Sequence, residues 1–431
     1  MDLDVDLDGL SVARSARTLK WDVAEGELPM WVADMDFPPP EAVRRAVAEV
    51  AAEARFGYAS TIPRPLGEAL SGWYARRHDT VIDPSWVLFS PGVNLGIGSV
   101  LRTLTAPGDE VVTLTPNYHH FFHTITTNGR VLAASEMIFA DGRHQIDWED
   151  LEARLASPRA TAFLVCNPHN PTGQLWDAPT LRRFGEIAAA CGAFVICDEI
   201  HGDLTDPGAR HNPWLRVFAG GGAVGGGSAG GASAESAAGG VAGGLAGNRA
   251  DSGAGEPVGG AAGVVMATST SKPFNIAGLH SAALVIPDPI QRARVAAGLS
   301  RDDLAEPNSF AIPAAVAAYA EGGPWLDAVR AYVAANRAFA VDELARLAPE
   351  ARPVESRATY LMWIDVRAWT HDSAGFARRL RRATGLVIDP GVRFGPGGEG
   401  FARLNLAAPR SRVADGIGRL VRGLEAEATA G

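Results

Sequence analysis

Cysteine is scarce in this chain: there are three in 431 residues, Cys166, Cys191 and Cys197. So sparse and odd a set excludes a disulfide framework and fits free thiols in a reducing compartment. No two of them show the two-residue spacing of a zinc or redox motif. Cys166 and Cys197 lie inside apolar, strand-like runs, where a buried inert thiol is expected. Long apolar runs are also lacking, and none reaches the length of a membrane span. The opening MDLDVDLDGL is acidic, without the basic and apolar regions of a secretion signal. Basic clusters are missing as well, and the formal net charge is −10. An acidic chain gains nothing from phosphate backbones, which argues against a nucleic-acid partner. These absences point to a cytoplasmic protein with neither nucleic acid nor membrane as partner.

What is present is an alternating pattern. Residues up to about 40 are rich in Trp, Pro and Asp and read as an irregular arm, and 41–55 have helical periodicity. EVVTL (110–114), RVLAA (130–134), TAFLVCN (161–167), AFVICDE (193–199), VVMATST (264–270) and SAALVIP (281–287) are short, β-rich and apolar nearly throughout. Strands buried on both faces of a parallel-type sheet read this way. With helices between them, they imply an α/β layered domain whose ligands gather at the carboxyl ends of the strands. From about 290 the pattern becomes α+β: a helical stretch (about 324–349), a strand (359–366), a helix, short strands around VID and FARLNL, and a last helix at about 410–427. The expected organisation is an arm over 1–40, a large domain over 41–289 and a smaller C-terminal domain over 290–431. Residues 219–263 stand apart: 18 of the 45 are glycine and many others alanine. Such a stretch offers little apolar area for the backbone entropy it would lose, so it reads as a flexible insertion without chemistry.

Four segments carry candidate chemistry. Ser269-Thr270-Ser271-Lys272 follows a buried strand. A lysine there can form a Schiff base when its ammonium is desolvated, and hydroxyls just before it can hold a phosphate. Alone, such a lysine is ordinarily a solvated loop residue, and SxSK also resembles the serine–lysine motif of other enzymes. Asp198-Glu199-Ile200-His201 ends another strand; a buried Asp198 could pair with a protonated pyridine nitrogen, or simply cap a helix. A zinc reading is weaker, since no third ligand follows at metal spacing. Cys166-Asn167-Pro168-His169-Asn170-Pro171-Thr172-Gly173 forces a rigid turn and is the most specific motif of the chain. Ser90-Pro91-Gly92-Val93-Asn94 leads into a helix whose first N–H groups suit a phosphate.

In this order, these segments resemble fold-type-I pyridoxal-phosphate (PLP) enzymes, the aspartate-aminotransferase superfamily. KWD (20–22), PMWVADMDF (29–37), FGYAS (56–60), CNPHNPTG, DEIHGDL (198–204) and SKPFNIAGL (271–279) are similar to the cystathionine β-lyase, or C–S lyase, branch. The resemblance runs from about residue 17 to the C-terminus outside the Gly/Ala stretch. It implies the three-layer fold with a mostly parallel sheet and a smaller C-terminal domain, and PLP held as a Schiff base on Lys272, which also moves the substrate proton. Asp198 would hold the pyridine nitrogen, Asn170 the ring oxygen with His201 beside it, and Tyr118 would stack on the ring. Gly92, Val93, Asn94, Ser269 and Ser271 would bind the phosphate, joined by Tyr58 of a second subunit, which makes a homodimer. Arg403 would clamp the substrate α-carboxylate through two parallel hydrogen bonds, and Trp31 and Ala33 would line the pocket. Outside the resemblance, Tyr58, Tyr118 and Trp31 read as packing aromatics and Arg403 as a surface ion pair. The chain departs from the family in having His280 eight residues beyond the lysine, where many relatives have arginine, and Pro273 where the branch often has threonine.

The reaction so implied is β-elimination at a C–S bond, giving homocysteine, pyruvate and ammonia from cystathionine. Two rivals share the cofactor. An aminotransferase would take the same early steps and expel no thiol. A PLP-binding regulator would need a DNA-binding segment, and none precedes the arm.

Overall fold

The computed structural model describes residues 7–9, 18–54, 56–60, 63–219 and 263–430. The Gly/Ala-rich stretch read as a flexible insertion therefore lies, over 220–262, outside the described residues.

The apolar runs form a seven-stranded sheet: β1 (Val87–Ser90), β2 (Glu110–Thr115), β3 (Val131–Glu136), β4 (Ala160–Cys166), β5 (Phe194–Asp198), β6 (Val264–Thr268) and β7 (Ala282–Val285). Its spatial order is β1-β7-β6-β5-β4-β2-β3. The pairs among β2 to β6 are parallel. SAALVIP departs from the parallel expectation, because β7 is antiparallel to both β1 and β6. Being buried on both faces, it carries the same apolar signature as its parallel neighbours. The two reversals cancel, so β1 points the same way as β6, and the carboxyl ends of β1, β2, β4, β5 and β6 open on one edge. RVLAA is an edge strand rather than a doubly buried one, with Val131 44% exposed.

Both faces of the sheet are covered. Along β4, Ala162, Leu164 and Cys166 join a core with α3 (Val93–Leu104), α4 (His119–Thr127) and α8 (Pro289–Arg301), while Phe163 and Val165 join one with α5 (Trp148–Leu155), α6 (Ala178–Ala190) and α7 (Trp214–Ala219). That period-2 partition is what a doubly buried strand requires. A third core gathers α1 (Glu41–Ala52), α2 (Arg64–His78), α9 (Ala311–Glu321) and the start of α10 (Gly323–Leu347) over the β1–β7–β6 end. Asp147, Asp177 and Asp288 accept the backbone N–H three residues on at the starts of α5, α6 and α8.

The second sheet is antiparallel: β8 (Arg352–Pro353), β9 (Leu361–Asp365), β10 (Asp389–Pro390) and β11 (Phe401–Asn405), ordered β8-β9-β11-β10. It shares a core with α11 (Ser373–Thr384), α12 (Arg410–Ala430) and the far half of α10, so α10 runs from one core to the other. The segment from Leu28 onward is threaded along this second sheet. Leu28–Pro29 pairs in parallel with Leu386–Val387, Met30 carbonyl accepts from Asn405 N–H at 2.8 Å, and Asp36 N–H reaches Ala407 carbonyl at 2.8 Å. This threading carries residues 31–34 to the strand-end edge of the large sheet.

Candidate active site

Asp198, the last residue of β5, is buried and lies in register with Cys166 of β4 and Ala267 of β6. The strand ends are tied together there: Asn167 N–H donates to Asp198 carbonyl at 2.8 Å, and Glu199 N–H to Ala267 carbonyl at 2.7 Å. The carboxylate of Glu199 is occupied by the fold, accepting Trp214 N–H at 2.6 Å and lying 3.0 Å from His211 Nε2. Among the described residues, the Asp198 carboxyl takes only Ile200 N–H, at 2.9 Å. Burial, the largest influence, pushes it up to about 7; Ile200 N–H and Lys272 oppose the rise and Glu199 adds to it. A buried acid with spare acceptor capacity is a receptor for a buried cation.

Lys272 comes to the same place from the loop after β6, and its Nζ donates to Ala33 carbonyl at 2.6 Å. Burial lowers its pKa, with Arg403 acting in the same direction and Asp34 and Asp198 opposing. It is one of two lysines in the chain, and the other, Lys20, is buried against Asp36 at 2.9 Å. Around Lys272, Ser269 Oγ accepts Ser271 N–H at 2.9 Å and contacts Ser271 Oγ at 2.7 Å, while the buried Thr270 Oγ1 has no partner among the described residues. Gly92 caps α3 beyond β1, leaving Val93 and Asn94 N–H among the free donors of a helix start. Tyr118 begins α4 after β2; burial raises its pKa, with Arg403 and the Asn94 side chain opposing the rise. His201 is buried with Nδ1 unpartnered, and burial, then Lys272 and Arg403, lower it to about 3, so its ring is neutral.

Asn170 sits in the turn after β4. The closing Gly173 has φ +67°, and a Cβ there would lie 1.9 Å from Ser356 Oγ and 2.8 Å from Ala358 carbonyl. Glycine is thus required both for the left-handed backbone and for the close approach. Asn170 Oδ1 accepts from Arg403 Nη1 at 3.0 Å. Arg403 is buried on β11, not a surface residue. Its Nη2 donates to Trp31 carbonyl at 3.0 Å and to Asp389, and its Nε has no partner among the described residues. The carbonyls of Trp31 to Asp34 are all held: Trp31 by Arg403, Val32 by Asn405 at 2.7 Å, Ala33 by Lys272 and Tyr360, and Asp34 by Asn405 and Lys20. Trp31 Nε1 is buried without a partner.

The fold therefore gathers every candidate named from the sequence but one. Tyr58 is 99% exposed and lines an open hollow of about 510 Å³ with Glu49, Val50, Ser309 and Pro313, none of them residues of the Lys272 site.

The aminotransferase class I and II profile matches residues 28–420. The chain belongs to that family. Within the aminotransferase class I and II family it is similar to the cystathionine β-lyase PatB of Bacillus subtilis, 36% identical over 94% of this chain and 96% of that one. It is 30% identical to the protein MalY of Escherichia coli, over 93% and 92%. Among solved members, cystalysin from Treponema denticola, which contains a PLP cofactor, superposes with a TM-score of 0.82 at 27% identity over 97% and 98%.

The family motifs did not reveal Asp389, Tyr360, Asn405 or Arg393. Asp389 stands in a VID run read only as a strand. With two lysines in the whole chain, a lysine at a strand end is itself a signal in the sequence.

Proposed function

We propose that this chain is a PLP-dependent carbon–sulfur lyase that cleaves the Cβ–S bond of a cystathionine-like amino acid, releasing a thiol, pyruvate and ammonia. The observation that carries the reading is the meeting of Lys272 and Asp198 at adjacent strand ends, each pKa shifted by burial and each felt by the other. The similarity to cystathionine β-lyases over nearly the whole chain favours the lyase over the aminotransferase.

The residues present fit the cofactor. Asp198 offers a carboxyl for a pyridine nitrogen, and its charged form, costly while alone, is favoured beside a cation. His201 Nδ1 and Thr270 Oγ1 are buried polar atoms without partners. Asn170 has its Nδ2 donors left for a ring oxygen, since Arg403 takes Oδ1. Gly92, Val93, Asn94, Ser269 and Ser271 supply N–H and hydroxyl donors for a phosphate, and Tyr118 supplies a face for the ring. When bound, PLP supplies the electron sink that makes the substrate Cα–H acidic.

This chain's own side chains do the rest. Lys272 Nζ, lowered by burial, is the base that takes the Cα proton. Arg403 receives the α-carboxylate in place of Trp31 carbonyl while keeping its bond to Asp389, and its guanidinium carbon lies 4.7 Å over the Phe394 ring centroid. Trp31 and Ala33 form the wall that keeps water from the reacting carbon. Tyr58 serves the partner's phosphate in a homodimer. As units of this enzyme, working in the cytoplasm, we take the arm (1–40), the large domain (41–289) and the small domain (290–431), with α8, α9 and the start of α10 from the last span packed in the cores of the large sheet. Among the described residues, no helix is long and apolar enough to cross a membrane.

The test is pyruvate release from L-cystathionine by the PLP-loaded protein with no keto acid added. Stoichiometric pyruvate and thiol are expected. Turnover that appears only with an added keto acid makes the protein an aminotransferase instead.

A further inference from the structure

One arginine beside the site has no role in the chemistry so far. Asp389, buried on β10 opposite Arg403, splits its carboxylate between two guanidiniums: Oδ2 accepts from Arg403 Nη2 and Oδ1 from Arg393 Nη1, the latter at 2.6 Å. One carboxylate spans both, so those two nitrogens are no more than about 7 Å apart. Two guanidiniums sharing one carboxylate leave an excess of positive charge. Arg403 is buried, whereas the Arg393 side chain is 40% exposed.

Arg393 is also held from the other side. Its Nη2 lies 3.0 Å from His119 Nε2. A guanidinium can only donate, so His119 Nε2 accepts and its proton sits on Nδ1. Burial, the largest influence, then Arg393, His120 and Arg403, lower His119 to about 3, in keeping with a neutral ring. That leaves His119 Nδ1–H as a buried donor without an acceptor. His119 follows Tyr118 directly, their ring centroids 5.2 Å apart, and Lys272 and Arg403 lie close enough to shift His120 and His119, respectively. Arg393 Nε makes no hydrogen bond among the described residues, so it and the buried His119 Nδ1 are two N–H donors left beside a half-exposed guanidinium.

We propose that Arg393, braced by Asp389 and His119, receives a carboxylate on the thiol leaving group, so that the enzyme favours β-substituted amino acids whose sulfur substituent carries a carboxylate over those with a bare alkyl group. The inference rests on the lyase reading and adds a second anion subsite beyond Arg403. Asp389 is the positioning residue that sets the spacing of the two arginines.

The experiment compares kcat/KM of the PLP-loaded protein for L-cystathionine and for S-ethyl-L-cysteine in wild type, Arg393→Gln and Arg393→Lys, with the visible spectrum of each variant confirming an intact site. The glutamine variant is expected to lose about tenfold or more on cystathionine relative to S-ethyl-L-cysteine, mostly through KM, and the lysine variant to recover part of it. A parallel fall on both substrates, or no change on either, overturns the subsite. Calorimetry with adipate and with pentanoate keeps the two claims separate. Wild type should prefer the dicarboxylate and the glutamine variant should lose that preference, whereas equal preference in both contradicts the subsite. Absence of pyruvate from both amino acids in wild type refutes the lyase reading, and calorimetry then decides the subsite by itself.

Discussion

At the scale of single residues, the site is an arrangement of groups whose protonation the fold has displaced. An unfolded Asp198 releases its proton near pH 4, whereas the folded protein holds it until about 7. Between these values the folded state binds more protons, so Asp198 makes the cofactor-free protein less stable as pH rises, by at most about 1.4 kcal/mol per pH unit. His201 acts oppositely: its folded pKa of about 3 lies below the ordinary 6.5, so it costs stability as pH falls through that window. Asp198→Asn removes only the first effect. Urea unfolding of the cofactor-free proteins from pH 4 to 7 should therefore show wild type losing ground to Asp198→Asn as pH rises. A pH-independent difference contradicts the burial argument. In the same variant PLP should bind at least tenfold more weakly, as read by fluorescence titration. Asp198, Lys272 and Asn170 were legible in the sequence because a buried strand end and its loop are written in adjacent letters. Asp389 and Arg393 were not, because their roles arise from pairing at a distance. Asp389 meets Arg403 through sheet register, and Arg393 meets His119 across 274 positions of chain.

At the scale of elements, strands supply position and loops supply chemistry. The turn over 167–173 places Asn170 and packs against residues 356–358 through Gly173. Gly173→Ala sets a Cβ at φ +67° against Ser356 and Ala358, and should cost about 2 kcal/mol or more together with cofactor affinity. Asp177→Ala is the contrasting case. It removes the acceptor 2.8 Å from Thr180 N–H at the start of α6, a helix whose buried residues pack on Phe163 and Val165, and should cost about 1 kcal/mol with little effect on turnover. Thermal unfolding and kcat measured on both variants separate the two; equal losses of activity would contradict the division between loop and scaffold. The strands were legible because buried strands are apolar throughout, and direction was not, since β7 reverses with the same composition as its neighbours. Val87–Ser90, four residues between Pro84 and Pro91, is too short to stand out by periodicity.

At the scale of the whole molecule, Tyr58 is the residue left over. Its full exposure, at the rim of an open hollow, suits a side chain completed by a second copy. Light scattering should show a dimer. Mixing Tyr58→Ala with Lys272→Ala protomers should yield roughly a quarter of wild-type turnover, because in each mixed dimer one site takes both lesions and the other none. A mixture no more active than its parents places Tyr58 outside the shared site. The proposed chemistry depends on the amine of Lys272 being the attachment point of the cofactor. Borohydride reduction of the PLP-loaded protein, followed by mass spectrometry of its peptides, examines that bond directly. A single pyridoxyl adduct on Lys272 is expected, with the ion-paired Lys20 unmodified; an adduct on Lys20 alone, or none on Lys272, contradicts the account.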